Sequence, residues 1–474
     1  MDRHRRLAVG LLIVVTCLLM AAVAATQARG DGLPSHVLWY DVAGPTTGHE
    51  EWTDVAKGPD GSLYTAGYFN WDPFGNGTDL LYEKFSSDDA APIHKAWGPV
   101  SWDNPAEHLN DLAQALAVDG AGDLIIVGST QTASLGEQWL VIKFSGADGS
   151  AVWPSPRTFA ASPLQPWKAS AYDVACDKAG HIYVCGYSQT GETGGRTQAS
   201  LVVRKLVGAT GDVIWKGSYA GPVKGYNQGS KLALDAQGNA YVTGYGANAK
   251  HDSDIITCKF RASDGKRLWV QRIADAKGFN DEGADIVVRG GSLWVTGGEY
   301  TGKSTRMVAL ARYTTAGKRL WLRTWLEKAG TLEYPNGLAV DAHGDAVVVG
   351  AGVDNPVTRE HAFILRWTRD GVRTWRRLAY NSVSHMAAWN DVVCDPDGRI
   401  WAGGYVMTAD GDPALLVSRY TVRGGRVWKS SWEGYDGLGA ACDALCLGKT
   451  GLFAGGYITT SIAGVDALAV KFSR

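Results

Sequence analysis

Short apolar runs alternate with tight polar turns along most of the chain. In "KLALDAQGNAYVTGY", two apolar runs flank residues 235–238, a segment typical of a hairpin turn with glycine in the left-handed conformation. The same turn returns as "GPDG", "DKAG", "DAHG" and "DPDG". Apolar residues at helical spacing are absent beyond the N-terminal segment. The pattern therefore predicts an all-β chain of short antiparallel strands.

Three features recur along the chain with a period of 52 to 61 residues. The first is a glycine that ends an apolar run: Gly67, Gly128, Gly186, Gly244, Gly297, Gly350, Gly404 and Gly456. The second is a basic residue followed by a large apolar one: Lys84-Phe85, Lys143-Phe144, Lys205-Leu206, Lys259-Phe260, Arg312-Tyr313, Arg366-Trp367, Arg419-Tyr420 and Lys471-Phe472. The third is a tryptophan after that pair: Trp97, Trp153, Trp215, Trp269, Trp321, Trp375 and Trp428. Eight repeats of four short strands predict an eight-bladed β-propeller with four-stranded antiparallel blades.

The eighth tryptophan lies at the opposite end of the chain. No tryptophan follows Phe472, but Trp39 in "HVLWYDV" has the same sequence context with no repeat before it. We therefore expect the N-terminal strand to complete and close the last blade. The predicted domain is a single eight-bladed propeller over residues 36–474.

The repeats resemble two known kinds of propeller unit. "ALDAQGNAYVTGY" is similar to the bacterial SBBP-type β-propeller repeat, and "KFRASDGKRLW" is similar to the tryptophan-docking repeat of eight-bladed quinoprotein-like (PQQ-like) propellers. The resemblance covers about residues 36–474 and implies the scaffold, because propellers carry many unrelated functions. Quinoprotein enzymes characteristically have a vicinal cysteine pair over the quinone, which this sequence lacks. The resemblance therefore does not extend to the redox chemistry.

The repeated side chains have a predicted architectural role. A tryptophan on the outermost strand is large enough to fill the wedge between blades, and its indole N–H can bind backbone. The lysine or arginine one strand inward is predicted to lie along that indole and to bind a carbonyl or a carboxylate.

The N-terminal segment and the charge indicate an exported protein. "MDRHRR" precedes an apolar run over residues 7–25 that ends in small residues, which predicts a secretory signal peptide over residues 1–28; the alternative is an uncleaved anchor. We expect secretion or an envelope location, no membrane span in the mature chain, and a monomer. The net charge of −2 indicates no nucleic-acid partner. Six cysteines follow the signal without zinc-ligand spacing, and their disulfide pairing stays open.

Acidic residues recur where the innermost strands begin. The candidate metal ligands are Asp54, Asp173, Asp285, Asp391 and Asp443. Fold geometry predicts that they surround one mouth of the central channel, where they would suit a divalent cation such as calcium. The alternative is that each carboxylate accepts hydrogen bonds from its own loop. No cofactor is predicted.

The loops that enter the innermost strands carry the least repetitive residues. The candidate ligand-binding residues are His49, Glu51, Trp52, His108, Asp111, Tyr226, Asn227, Tyr334, His385, Trp389 and Asn390. Aromatic residues with Asn and Asp suit binding of a sugar or polymer, and they equally suit packing of loops over the blades. His49 and His108 with nearby acids suit a metal site or an acid–base pair. No catalytic residue is assigned, because no nucleophile, zinc-protease or P-loop motif is present.

These features favour an exported, non-catalytic binding or scaffold protein. Its loop face at the channel mouth would engage a protein, a glycan or an envelope component. The alternative is a propeller enzyme, a metal-assisted hydrolase or lyase with its site at the same mouth. A quinone-dependent dehydrogenase is the third and least favoured possibility.

Overall fold

A computed structural model describes residues 36–43, 48–70, 77–87, 94–104, 109–249, 252–274, 279–302, 304–354, 360–379, 386–434, 437–461 and 464–473. The predicted signal peptide lies outside these residues. The described part contains 32 strands and no helix, which confirms the all-β prediction. It accordingly contains no helix that is long and apolar enough to cross a membrane.

The strands are named β1 to β32 in chain order. The first half comprises β1 Val37–Ala43, β2 Gly48–Lys57, β3 Ser62–Asn70, β4 Asp79–Ser87, β5 Lys95–Trp102, β6 Asp111–Val118, β7 Leu124–Thr132, β8 Gly136–Phe144, β9 Arg157–Phe159, β10 Ala169–Cys176, β11 Ile182–Thr193, β12 Arg196–Leu206, β13 Val213–Tyr219, β14 Asn227–Leu234, β15 Ala240–Ala247 and β16 Ser253–Phe260. The second half comprises β17 Arg267–Ile273, β18 Glu282–Arg289, β19 Ser292–Gly302, β20 Thr305–Thr314, β21 Arg319–Trp325, β22 Thr331–Val340, β23 Ala346–Asp354, β24 Glu360–Trp367, β25 Arg373–Ala379, β26 Ala387–Cys394, β27 Ile400–Met407, β28 Pro413–Tyr420, β29 Arg426–Trp432, β30 Ala440–Leu447, β31 Gly451–Thr460 and β32 Gly464–Ser473.

Antiparallel pairing divides these described strands into eight units of four, which we call blades 1 to 8. Blade 1 is β2–β5, each later blade takes the next four strands, and blade 8 is β30–β31–β32–β1. Short parallel contacts join β2 to β32 and β20 to β22. The innermost strands are β2, β6, β10, β14, β18, β22, β26 and β30, and each contacts the next, with β30 contacting β2. The arrangement is consistent with the predicted ring of eight blades.

The N-terminal strand occupies the predicted closing position. β1 pairs antiparallel with β32, from Val37 opposite Phe472 to Ala43 opposite Ala467. His36, just before β1, has a φ of 76°. Its ring stacks on Trp428 with centroids 4.7 Å apart. The fourth strand of blade 8 therefore comes from the opposite end of the described chain.

The repeated tryptophans bind the following blade, as the sequence predicts. The indole N–H of Trp215 in blade 3 donates to the carbonyl of Ala262 in blade 4 at 2.9 Å. Five other blades repeat this bond, through Trp97, Trp153, Trp269, Trp321 and Trp375. Each acceptor lies in the turn between the third and fourth strands of the next blade. The tryptophan is therefore an inter-blade contact.

The basic residue of the repeat lies differently from the prediction. Lys259 Nζ donates to the Thr315 carbonyl at 3.0 Å, the same acceptor that Trp269 uses. Its ammonium group, however, lies over the ring of Tyr241 on the second strand, 4.8 Å from the centroid. Comparable contacts with second-strand rings are made by Lys84, Lys205, Arg312, Arg419 and Lys471. The predicted hydrogen bond to a carbonyl is therefore confirmed for Lys259. The cation–π contacts of the basic residues, however, are with rings on the second strand and not with the outermost-strand tryptophan.

Candidate functional site

Each innermost strand has a β-bulge near its middle, which sets what faces the ring axis. In β2 the bulge lies between Trp52 and Asp54, and the other seven innermost strands shift register at the equivalent place. The residue after the bulge is Asp54, Ala115, Asp173, Lys231, Asp285, Gly337, Asp391 and Ala444 in blades 1 to 8. Aspartate therefore alternates with another residue around the ring.

Asp443 does not belong to this set. It is the bulged residue itself, between Cys442 and Ala444, because the hairpin of blade 8 is one residue shorter than that of blade 7. The predicted ring of five equivalent aspartates is therefore a ring of four, with Asp443 displaced by one position.

The four equivalent aspartates clamp neighbouring blades together. Asp54 Oδ1 accepts the N–H of Val55, and its Oδ2 accepts the N–H of Leu116 in the next blade at 2.9 Å. The other three repeat the inter-blade bond, from Leu232 to Asp173, from Leu338 to Asp285 and from Leu445 to Asp391. This geometry corresponds to the backbone hydrogen-bonding alternative, extended to the next blade. A role as cation ligands stays a prediction.

A single lysine among these eight ring positions faces the four carboxylates. Lys231 Nζ lies 3.9 Å from Asp173 Oδ1. Attraction by Asp173, and by the other three aspartates, holds the pKa of Lys231 above its usual value. Burial raises the pKa of Asp54 to about 6 and the pKa of Asp285 to about 7. Burial also raises the pKa of Asp173 and Asp391, so all four carboxyls have a pKa above the usual value.

Several predicted ligand-binding residues are buried inside the blades. Trp52 and Trp389 are at most 1% exposed and belong to hydrophobic clusters. Asn227 is also buried, and its amide donates to the Ala199 and Ala220 carbonyls. Asp111 is fully buried at the seam of blades 1 and 2. In this structure Trp52, Trp389 and Asn227 therefore pack and hydrogen-bond within the fold instead of facing a ligand.

Other predicted residues come together where blades 7, 8 and 1 meet. His49 Nε2 lies 3.5 Å from Glu51 Oε2, which also accepts a hydrogen bond from the Tyr68 hydroxyl at 2.8 Å. Asn390 donates to Asp443 Oδ1 at 3.1 Å. Burial and the charge of Glu51 raise the pKa of Asp443 to about 7. His108 and His385 lie outside the described residues.

Four tyrosines lie close together at blades 3 and 4; Tyr187 is buried, and the other three are partly exposed. Tyr226 lies 5.2 Å from Tyr187 and 5.8 Å from Tyr245, measured between ring centroids, and Tyr172 stacks on Tyr187. Of these four tyrosines, only Tyr226 was predicted as a site residue. The repeated "GY" within the second strand is the signal that reveals Tyr187 and Tyr245, whereas Tyr172 lies on the innermost strand outside that pattern.

A cleft of about 480 Å³ lies where blades 5 and 6 meet, and it contains the predicted residue Tyr334. Its lining residues are Phe279, Asn280, Glu282, Tyr300, Arg306 and Tyr334. Arg306 lies over both tyrosine rings, 5.4 Å from the Tyr300 centroid and 4.5 Å from the Tyr334 centroid. The sequence did not single out Arg306 or Tyr300, because both lie beyond the loops that enter the innermost strands.

Comparison with known proteins supports the fold. No model of a known protein family matches the chain, and no curated protein matches it either. Among solved structures, a europium-containing methanol dehydrogenase is 10% identical, with a TM-score of 0.55 over 92% of this chain and 93% of that one. Quinohemoprotein alcohol dehydrogenase from Comamonas testosteroni is 10% identical, with a TM-score of 0.52 over 90% and 76%. BamB from Moraxella catarrhalis is 17% identical, with a TM-score of 0.42 over 90% and 93%. The likeness to the two dehydrogenases supports a β-propeller of the PQQ-like kind, and it shows the fold alone.

Proposed function

We propose that this chain is an exported, non-catalytic binding propeller, built from SBBP-type repeats, that engages a glycan through its loop face. The observation that carries the proposal is the aromatic and polar cleft between blades 5 and 6. Ligand sites are concave, and they combine apolar surface with a few convergent polar groups. Export rests on the predicted signal peptide, and the envelope is where we expect such a ligand.

The cleft combines the two kinds of group that bind sugars. Phe279, Tyr300 and Tyr334 supply ring surface for the apolar C–H faces of a sugar. Asn280, Glu282 and Arg306 each carry a planar group with two or three polar atoms, which suits neighbouring hydroxyls. The side chains of Asn280 and Glu282 are exposed, so they are accessible from solvent.

The charges in the cleft favour a neutral saccharide. Arg306 Nη2 lies 3.4 Å from Glu282 Oε2, so the one cation and the one carboxylate of the lining offset each other. Arg306 is only 6% exposed, and its Nε has no hydrogen-bond partner in the structure. A buried N–H without an acceptor is costly, and a sugar hydroxyl is an acceptor that adds no net charge.

The test is saccharide binding by the purified protein. A panel of neutral and carboxylated saccharides is screened, and the affinity for each ligand that binds is measured by calorimetry for wild type, Tyr334→Ala and Tyr405→Ala. Tyr405 is a partly buried tyrosine in blade 7, outside the cleft, and serves as the matched control. We expect neutral saccharides to bind, and Tyr334→Ala to weaken that binding about tenfold, which corresponds to about 1.4 kcal/mol. Preference for carboxylated saccharides, or equal loss in both variants, contradicts the proposal.

An acid–base function is the second candidate, favoured by the contact between His49 and Glu51. The imidazole is exposed while the carboxylate is held by Tyr68, an arrangement suited to proton transfer. Hydrolysis of a panel of chromogenic glycosides and esters by the wild-type protein, abolished by His49→Ala, would establish this alternative in place of the binding function.

A further inference from the structure

Three carboxylates meet at the seam of blades 1 and 2, away from the cleft. Asp79 begins β4, Asp103 directly follows β5, and Asp111 begins β6. One carboxylate oxygen from each lies within 4.8 Å of the corresponding oxygens of the other two. Like charges repel at such distances, and a bound cation would relieve that repulsion.

Asp111 gives independent evidence for a ligand at this place. The residue is fully buried, and its Oδ2 accepts the backbone N–H of Asn104 at 2.8 Å. Its Oδ1 is also buried but accepts no hydrogen bond in the structure. An unsatisfied carboxylate oxygen in the interior costs free energy, whereas a bound cation satisfies it.

The neighbouring charges have a direct effect on Asp111. Burial, with added repulsion from Asp103 and Asp79, raises the pKa of Asp111 to about 6, although hydrogen bonds from Thr130 and Asn104 lower it. A bound cation would relieve that repulsion.

We propose that Asp79, Asp103 and Asp111 bind a calcium ion that links blades 1 and 2. Calcium is bound by hard oxygen ligands at about 2.3–2.6 Å, so two oxygens on one ion lie at most about 5 Å apart. The separations of up to 4.8 Å fit that limit. Among the described residues the group consists of carboxylates alone, which suit calcium better than the cysteine and histidine ligands common in zinc sites.

The equivalent positions at two other seams have different local partners. By strand register, Glu50 and Glu333 correspond to Asp111. Burial and the neighbouring Asp466 raise the pKa of Glu50 to about 8, so a proton neutralises that pair near neutral pH. Glu333 Oε2 lies 3.4 Å from the imidazole of His361. A group of three acids is found in the described residues only at the seam of blades 1 and 2.

The test uses the purified protein after removal of metal with EDTA. Calcium binding is measured by calorimetry, and the midpoint of thermal unfolding is recorded with and without calcium, for wild type, Asp103→Asn and Glu50→Gln. Asp103 is chosen because it is partly exposed, so its amide is tolerated, and Asp79→Asn is a second variant. Glu50→Gln is the matched control, because an amide resembles the protonated glutamic acid.

We expect wild type and Glu50→Gln to bind one calcium ion at this seam. Calcium at a hundredfold excess over Kd is expected to raise the unfolding midpoint by about 3 °C. Asp103→Asn and Asp79→Asn, folded by circular dichroism, are expected to lose both the binding and the shift. Wild type that binds no calcium, or folded variants that both bind it as wild type does, overturns the proposal. Neither result bears on saccharide binding at blades 5 and 6.

Discussion

The repeated glycine lies within each second strand, against the bulge of the innermost strand. A Cβ atom added to Gly244 would stand 2.1 Å from the carbonyl oxygen of Gln228, and the glycines of the other blades meet backbone in the same way. Because the obstacle is backbone, no side-chain rotation relieves it. This contact explains why the glycine is the most regular residue of the repeat.

Replacement of Gly244 by alanine is therefore expected to be severe. We predict that Gly244→Ala lowers the free energy of unfolding by about 3 kcal/mol or more, measured by chemical denaturation. Gly302 is the matched control, because an added Cβ meets nothing within 4 Å there. Equal stability of the two variants would show that the bulge relaxes.

Buried carboxyls make the stability depend on pH. The pKa is raised, mainly by burial, to about 6 for Asp54, about 7 for Asp285 and Asp443, and about 8 for Glu50. The folded state therefore binds more protons than the unfolded state between about pH 4 and pH 8, so the contribution of these groups to stability falls as pH rises through that window. We expect the unfolding midpoint to be higher at pH 5.5 than at pH 8. A midpoint that rises steadily between these pH values is the opposite result.

At the scale of the strand and turn, the tryptophan repeat was predictable and some of its geometry was not. Trp215 could be assigned to the outermost strand because its sequence context returns in every blade. The hydrogen bond to Ala262 also follows from the need of a buried indole for an acceptor. The position of Lys205 over Tyr183 depends on the rotamer that the lysine side chain adopts next to the neighbouring blade. The spacing of residues in the sequence does not determine that rotamer.

The contribution of the indole hydrogen bond to stability can be measured by comparing two tryptophans of the same protein. Trp215→Phe removes a donor and leaves the Ala262 carbonyl with the weaker contact from Lys205 at 3.4 Å. Trp428 occupies the same repeat position and is similarly buried, but its indole N–H has no hydrogen-bond partner in the structure. We predict that Trp215→Phe costs about 1 kcal/mol more stability than Trp428→Phe, by thermal or chemical denaturation. Equal costs would assign the role of Trp215 to packing alone.

The sequence likewise predicted only part of the candidate sites. The acid–base pair was foreseeable, because His49 and Glu51 are two residues apart on one strand and so share a face. The cleft was not, because Arg306 and Tyr334 come from different blades and meet only in the folded ring. Asp79 and Asp103 were overlooked for a similar reason, since only the seam of two blades brings them to Asp111.

At the scale of the whole molecule, the repeated residues hold the blades together, whereas the candidate sites are formed by residues that do not repeat. The four alternating aspartates, the tryptophans and the bulge glycines all contact a neighbouring strand or blade. The cleft and the carboxylate group depend on residues that do not repeat. Alternation of Asp54 and Asp173 with Ala115 and Lys231 could be read from the sequence. That these aspartates join neighbouring blades is evident only from their inter-blade hydrogen bonds.

The pairing of β1 with β32 would close the eight blades into a ring. The most direct test compares the thermal unfolding and aggregation of a protein that begins at residue 36 with those of one that begins at residue 44. Removal of β1 leaves the edge of β32 without its partner and Trp428 without the ring of His36. An exposed strand edge promotes aggregation. We predict that the shorter protein melts at a lower temperature or aggregates, whereas identical melting of the two proteins would contradict closure by this strand.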